Sequence, residues 1–213
     1  MTCMDLSHRI EPGMPVYPGT EPPEIRVGAS LEEEGFLERR LCLFSHTGTH
    51  VDVPAHLLAG GRTLDEIPLD RFAGPGWVVD VRDRNEGGIG VDLLEEHREA
   101  IAGAEFVLLH TGWSRRWGSP GYFEGFPTLT PQAARWLAEG RVKGVGVDAI
   151  SVDPVDSRAL PVHRTLLEAG VVIVENLTRL APLVGRRFHF AGYPLPIARG
   201  DGSPVRAVAV LIP

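Results

Sequence analysis

The sequence predicts an α/β fold, in a single compact mixed α/β domain spanning residues 1–213. The chain has 43% hydrophobic and 23% charged residues, which is ordinary for a globular domain of this length. Its second half alternates short valine-rich runs with stretches of helical spacing. Glycine and proline are scattered as loop residues, and neither an internal repeat nor a linker-like change of composition marks a second domain.

Short apolar runs bounded by glycine, proline or polar residues predict the strands. In chain order, the predicted strands are Glu38–Phe44, Gly76–Val81, Glu105–Thr111, Val142–Asp148, Val171–Asn176 and Val205–Ile212. Most of these runs are rich in valine, as expected for strands that are buried in a sheet. The order of the strands in the sheet does not follow from the sequence.

Three stretches between these strands predict helices. Val91–Ile101 has apolar residues at helical spacing. A second helix should begin after Thr130, a capping residue followed by Pro131 at the first helical position, and should end at Gly140. His163–Gly170 predicts a short third helix that also ends at a glycine.

Charge and composition exclude several classes of partner. The formal net charge of −7 argues against nucleic acid or an anionic membrane, since both require a basic surface. The N-terminus lacks the charged and apolar regions of a secretory signal, and no window reaches the ~20 apolar residues of a membrane helix. The chain has two cysteines, Cys3 and Cys42, without CxxC spacing. We therefore expect a cytoplasmic protein with a small-molecule partner.

The segment 45–57 reads SHTGTHVDVPAHL and contains His46, His50, Asp52 and His56. Its β-branched residues, its central glycine and its proline disfavour a helix. In an extended chain, residues of one parity share a face, so these four even-numbered side chains should point the same way. One buried histidine is usually a hydrogen-bonded core residue, but four titratable groups on one face predict a functional site.

A straight strand would place the Cα atoms of His46 and His50 about 13 Å apart, at ~3.3 Å per residue. A shared metal would require the chain to bend, and Gly48 lies at the position where a bend costs least. Imidazole and carboxylate ligands without thiolate suit Zn²⁺ or Mn²⁺. His8, His97, His110 and His189 lack such a pattern, and structural or solvated roles are expected for them.

His163 and Glu175 are candidates for a second cluster. His163 stands at a predicted helix start, and Glu175 ends the valine-rich run VVIVEN. A glutamate in such a strand is costly unless a cation meets it. The alternative is an exposed strand end at which Glu175 pairs with an arginine.

The unbroken motif H-x-G-T-H-x-D-x-P-x-H at His46–His56 resembles the signature of the cyclase-like family of metal-dependent hydrolases. This family includes the kynurenine formamidases (arylformamidases) and isatin hydrolases. The resemblance covers most of the chain and extends to MPVYPGTEPP (Met14–Pro23), VLLHTGW (Val107–Trp113), GVGVDAISVDP (Gly144–Pro154) and the separation of His163 from Glu175.

The resemblance implies a barrel-like β core of the swivelling β/β/α type, in a homodimer or larger assembly. It also implies two divalent metal ions per chain, with zinc favoured over manganese. The ligands it implies are His46, His50 and Asp52 for the first ion, Asp52 and Glu175 bridging or approaching both ions, and His163 for the second. His56 would stay unligated and carry protons.

The activity implied is hydrolysis of an aryl formamide, N-formyl-L-kynurenine, to L-kynurenine and formate. The alternatives are hydrolysis of another cyclic amide or lactone such as isatin, a polyketide-type ring closure, and metal binding without turnover. An intact His56 argues against the last of these, because a pure binding site needs no unligated histidine there.

Tyr17 is a candidate substrate-binding residue. It begins the stretch Tyr17-Pro18-Gly19-Thr20, where the formamidases of the family have a motif like W-P-G-D whose tryptophan stacks on the substrate. Tyrosine keeps a flat face but adds a hydroxyl and loses area. Thr20 also replaces the acidic residue. The alternative is an aromatic side chain that only packs against a turn.

Overall fold

A computed structural model describes residues 1–82 and 88–211. The strands are β1 Thr2–Asp5, β2 Glu24–Ala29, β3 Glu38–Cys42, β4 His50–Asp52, β5 Ala73–Asp80, β6 Phe106–His110, β7 Gly144–Val147, β8 Val172–Glu175, β9 Phe188–Ala191, β10 Gly202–Pro204 and β11 Val208–Leu211. The α-helices are α1 Val91–Glu95, α2 Arg98–Ala102, α3 Pro131–Ala138 and α4 Pro161–Glu168.

Within the described residues, nine strands form one curled sheet in the order β1-β11-β9-β5-β6-β7-β8-β4-β10. The strands β5 to β8 run parallel to one another, and all the other neighbours pair antiparallel. The strands β2 and β3 form a separate hairpin. The predicted single mixed α/β domain is confirmed, and the barrel-like β core takes the form of a half-barrel.

Side-chain parity along the strands separates two hydrophobic cores. Val79, Leu109 and Ile173 face the helices, where they pack with buried residues of α1 to α4. The adjacent Leu108 and Val174 point into the concave side of the sheet. Strands with apolar residues on both faces explain the near-continuous valine-rich runs of the sequence.

The sequence prediction differs from the structure in two elements. The helix predicted over Val91–Ile101 is divided at His97, whose φ of −111° and ψ of 12° leave the helical region. This break lets α1 and α2 bury their apolar residues separately while His97 stays half-buried beside Trp77. The strand predicted over Val205–Ile212 begins later, because the chain leaves β10 at one end of the sheet and crosses towards the opposite end, where it forms β11. Ile212 lies outside the described residues.

The remaining predicted strands and helices are confirmed with shifts of up to three residues at their ends. At the start of α3, the Thr130 hydroxyl accepts a hydrogen bond from the Ala133 amide, and Pro131 occupies the first turn as expected. No described helix is long and apolar enough to cross a bilayer.

Candidate metal centre

The candidate site lies on the helix side of the sheet, where β4 pairs with β8 and β10. His50 lies opposite Glu175, and Asp52 lies opposite Gly202. Between them, Val51 is fully buried in the concave core, so the predicted alternation is confirmed over β4. His56 instead lies in a 3-10 helix, Pro54–His56, where the extended chain predicted from the sequence is wrong.

Gly48 provides the bend that the sequence predicts. Its φ of +65° lies in the left-handed region that glycine adopts without strain. The bend before β4 brings the ring of His46 back to 5.1 Å from the ring of His50, measured between centroids. The two histidines can therefore reach a common centre, which a straight strand would prevent.

All the side chains that the sequence predicts for the site line one pocket. Its volume is about 300 Å³, at the lower end for a small-molecule site. It is lined by Tyr17, Thr20, His46, His50, Asp52, His56, Leu57, Ile150, Ser151, Leu160, His163 and Glu175. The second cluster thus joins the first, and Glu175 is buried among histidines; the alternative of an exposed strand end paired with an arginine is wrong.

Two buried carboxylates occupy the centre of this cluster. Oδ1 of Asp52 lies 2.7 Å from Nδ1 of His46 and 3.3 Å from Nε2 of His50. The Glu175 carboxylate lies 3.5 Å from Nε2 of His50 and 3.2 Å from Nε2 of His163. Nε2 of His163 is also 3.7 Å from Oδ2 of Asp52. Each of the three histidines therefore directs one ring nitrogen at the shared carboxylates.

The other ring nitrogen of each of these histidines has an acceptor of its own. Nδ1 of His50 donates to the carbonyl oxygen of Gly48 at 2.8 Å. Nδ1 of His163 lies 2.7 Å from Asp153, and Nε2 of His46 lies 3.0 Å from Asp201. An acceptor on the remote nitrogen fixes the ring and its tautomer, which is the usual surrounding of a metal-binding histidine.

Asp153 also positions the helix that carries His163. Its carboxylate accepts hydrogen bonds from the backbone amides of Val162 and His163, at 3.1 Å and 2.9 Å. The preceding Leu160 lines the pocket and has a φ of +45°, which is a strained backbone conformation for a residue with a bulky side chain. Such strain is retained where the surroundings fix the backbone, here by the cap of α4.

The buried carboxylates of the cluster stabilise the charged forms of His46 and His163. Burial disfavours the charged form of His46, but the Asp52 and Asp201 carboxylates outweigh it and raise the pKa of His46 to about 9. Burial likewise opposes the charge of His163, but Asp153, Glu175 and Asp52 raise its pKa to about 10. His56 differs, because burial lowers its pKa and the nearby histidines reinforce that direction.

The residues present fit divalent metal ions. Burial alone would raise the pKa of Asp52, yet His46 and His50 hold it well below its usual range, so the buried side chain is ionised. Its Oδ2 atom is buried without a hydrogen-bond partner among the described residues, which leaves a charged oxygen for a cation. His46, Asp52 and His56 form one group of atoms at ligand spacing, and His50, Asp52 and Glu175 form another.

Comparisons with known proteins identify the family of this chain. The sequence model of the Cyclase family matches residues 4–154. A kynurenine formamidase of Salinibacter ruber is 36% identical over 212 residues, which cover 98% of this chain and 97% of the relative. A kynurenine formamidase of Geobacillus thermodenitrificans is 34% identical over 206 residues, covering 96% and 95%.

This chain belongs to the Cyclase family. Among solved structures, an isatin hydrolase bound to the product analogue thioisatinate superposes with a TM-score of 0.87 at 25% identity, over 98% of this chain and 92% of that one. The fold of this chain therefore matches that of the isatin hydrolase along nearly the whole sequence.

Tyr17 lies at the mouth of the pocket and is 38% exposed. Its hydroxyl donates a hydrogen bond of 2.9 Å to the backbone oxygen of Val155, which ties the N-terminal segment to the loop before α4. The hydroxyl contact agrees with the turn-packing interpretation, and the stacking of Tyr17 on a substrate stays a prediction.

Sequence reasoning missed the residues that orient the histidines, which are Asp153, Asn176 and Asp201. Asp153 lies in the segment GVGVDAISVDP, whose two aspartates were a signal for it. Asp201 and Asn176 stand far from the histidine segment along the chain, and the sequence contains no spacing that connects them to it.

Proposed function

We propose that this chain is a metal-dependent amidohydrolase that converts N-formyl-L-kynurenine to L-kynurenine and formate. The observation that carries the proposal is the buried pair Asp52 and Glu175 surrounded by three oriented histidines, beside a fourth, His56. The kynurenine formamidases of two bacteria, at 34% and 36% identity over nearly the full chain, support the substrate.

The proposed centre holds two divalent ions. His46, His50 and Asp52 would bind the first, His163 would bind the second, and Asp52 and Glu175 would approach both. We favour zinc over manganese, because the proposed ligands include three imidazoles. Such ions, when bound, lower the pKa of water towards ~7 and polarise a substrate carbonyl.

His56 is the proposed proton carrier. Its side chain is 26% exposed, and its ring lies 4.0 Å from the ring of His46 and 6.3 Å from that of His163. The lowered pKa of His56 keeps the ring neutral near pH 7. A neutral imidazole can accept a proton from the attacking water and deliver it to the leaving nitrogen, which completes the hydrolysis of the amide.

The apolar side of the pocket would receive the aryl ring. Leu57, Ile150 and Leu160 line the pocket together with the histidines, and Tyr17 adds an aromatic ring to the lining. A ring held there would leave its formamide group near the carboxylates.

A cyclic amide such as isatin is the second candidate substrate. The isatin hydrolase with a TM-score of 0.87 favours it, as does the tyrosine that stands where the formamidases of the family have a tryptophan. The same centre would open the ring by adding water to the amide.

The chain is proposed to form a homodimer through the β2–β3 hairpin. Large hydrophobic residues that are more than half exposed cluster on and beside it, namely Val27, Leu31, Phe36, Leu37, Leu41 and Phe44. Glu32–Glu34 near the tip and Arg39–Arg40 on β3 are complementary to a second, antiparallel copy of the hairpin. Sedimentation should give twice the 23.2 kDa chain mass, and a monomer at micromolar concentration would contradict this.

A cytoplasmic location is part of the proposal. Cys3 and Cys42 are both free and exposed, as expected for a reducing compartment. Fractionation of cells that express the native chain would test it.

Product mass after turnover tests the reaction. Purified zinc-loaded protein would be incubated separately with N-formyl-L-kynurenine and with isatin, and the products identified by mass spectrometry. We expect L-kynurenine and formate from the first substrate. Addition of water to isatin without attack on the formamide would establish the second candidate, and a product that has lost water would indicate ring closure and overturn both.

A further inference from the structure

Asp201 is a carboxylate beside the proposed centre and lies outside the proposed set of metal ligands. Its Oδ2 atom lies 3.0 Å from Nε2 of His46 and 3.7 Å from Nδ1 of His56. The two rings lie with their centroids 4.0 Å apart and tilted by 38°. One carboxylate oxygen therefore stands at the edges of both rings.

The backbone fixes Asp201 at this position. Its carbonyl oxygen accepts a hydrogen bond of 3.2 Å from the amide of Val53, and the next residue, Gly202, pairs with Asp52 across β10 and β4. A Cβ atom on Gly202 would lie 2.6 Å from Cε1 of His46, so the imidazole packs directly against the backbone of this strand. A side chain at residue 202 would displace the ring.

The partners of Asp201 separate it from an ordinary surface carboxylate. Its side chain is 45% exposed, yet among residues 1–82 and 88–211 the basic side chains within 4.0 Å of its carboxylate are the two histidines and no arginine or lysine. An exposed pair of this kind contributes little to stability. Its geometry instead matches a carboxylate that holds the remote nitrogen of a metal-binding histidine.

We propose that Asp201 is a positioning residue for His46 and His56. Its carboxylate accepts the Nε2 proton of His46, which leaves Nδ1 directed at Asp52, and it holds the His56 ring beside the pocket. The proposal rests on the proposed function, because it requires His46 to bind metal and His56 to carry protons. Asp201 thus links the ligand shell to the proton carrier.

The test compares Asp201→Ala and Asp201→Asn with a matched control, Asp65→Ala. The Asp65 carboxylate accepts a hydrogen bond of 3.0 Å from the backbone amide of Arg199, so the control loosens the same loop without removing a group from the histidines. For each protein, the zinc dissociation constant is measured by competition with a chromogenic chelator, and kcat and KM are measured with N-formyl-L-kynurenine.

We expect zinc affinity to fall by about 10- to 100-fold in Asp201→Ala, the usual effect of removing such an acceptor. Turnover should fall mainly through kcat, because the pocket wall is unchanged. Asp201→Asn should recover part of the affinity since its amide oxygen can still accept the proton. The zinc dissociation constant of Asp65→Ala should stay within about twofold of the wild-type value, a much smaller change than that expected for Asp201→Ala.

An unchanged zinc dissociation constant in Asp201→Ala would overturn the proposal, as would equal losses in Asp201→Ala and Asp65→Ala. If the wild type binds zinc without hydrolysing N-formyl-L-kynurenine, the proposed function fails. The zinc affinities of the variants still decide the role of Asp201 in that case.

Discussion

Asp52 is the most constrained residue of the site, with 1% of its surface exposed. It contacts His46 and His50 through one oxygen and leaves the other without a hydrogen-bond partner among the described residues. A buried, ionised carboxylate costs several kcal/mol unless cations surround it. The surrounding histidines offset part of this free-energy cost. A metal ion bound at the unpartnered oxygen would offset the rest.

At the scale of single residues, the sequence predicted the members of the centre and missed their supports. His46, His50, Asp52 and His56 share parity in one segment, and this local property is visible without a structure. Asp201 stands 155 residues from His46, and only the pairing of β10 with β4 brings them together. Such long-range pairing has no signal in a single sequence.

The His56→Ala variant tests the proposed proton carrier. We expect kcat on N-formyl-L-kynurenine to fall by about 10²- to 10⁴-fold, the typical contribution of a general acid–base group. Zinc content should be retained, because the two buried carboxylates and three other histidines remain. His189→Ala, at an exposed position on β9, is the matched control and should keep full activity. Full activity in His56→Ala would show that another group moves the proton.

At the scale of elements, the short strand β4 and the turn after β8 hold the centre together. Asn176 follows β8 with a φ of +55° and is almost fully buried. Its side-chain amide donates to the carbonyl oxygen of Gly48 at 2.9 Å, and its Oδ1 accepts from the Tyr122 hydroxyl at 2.7 Å. The same Gly48 oxygen orients His50, so this turn supports the centre through the bend.

The Asn176→Ala variant tests that support. It should lower the free energy of unfolding by about 1–3 kcal/mol, since buried polar groups on Tyr122 and Gly48 lose a partner. Zinc binding should also weaken, because the Gly48 carbonyl that fixes His50 loses its anchor. Urea denaturation and chelator competition measure the two effects.

Tyr122→Phe is the matched control for Asn176→Ala. It removes only the outer hydrogen bond, so the cost should be about 1 kcal/mol with zinc affinity unchanged. Equal zinc affinity in Asn176→Ala and the wild type would show that Gly48 keeps its place without the asparagine.

The elements themselves were predictable to the extent that their signals are local. Thr130 and Pro131 mark the start of α3, and the valine-rich runs mark β5 to β8. The break at His97 was missed because it depends on how α1 and α2 bury their apolar residues against the sheet. The crossing from β10 to β11 was missed because it depends on the strand order.

At the scale of the whole molecule, the N-terminal segment packs against the loop that precedes the centre. The backbone amide of His8 donates a hydrogen bond of 2.9 Å to the hydroxyl of Thr49. The imidazole ring of His8 stacks on the ring of Trp117, with the two centroids 3.9 Å apart. Burial lowers the pKa of His8 from 6.5 to about 4, and the Arg179 charge adds to this while Asp148 opposes it. His8 is therefore neutral in the folded protein at pH 7.

The pKa of His8 predicts acid destabilisation. Between pH 6.5 and about 4, the unfolded chain binds a proton at His8 that the folded chain refuses, so stability falls as the pH falls. The slope contributed by this group approaches about 1.4 kcal/mol per pH unit. The free energy of unfolding is measured by urea denaturation at pH 7 and pH 5 for the wild type and for His8→Phe. Relative to the variant, the wild type should be less stable at pH 5 than at pH 7. A difference independent of pH would contradict this prediction.

The metal content of the purified protein, measured together with its turnover, tests the central claim most directly. Elemental analysis is run beside an assay of N-formyl-L-kynurenine hydrolysis before chelation, after chelation and after zinc is restored. The proposed function predicts about two zinc ions per chain, and turnover that is lost and regained with them. Hydrolysis that persists after all metal has been removed would contradict the account.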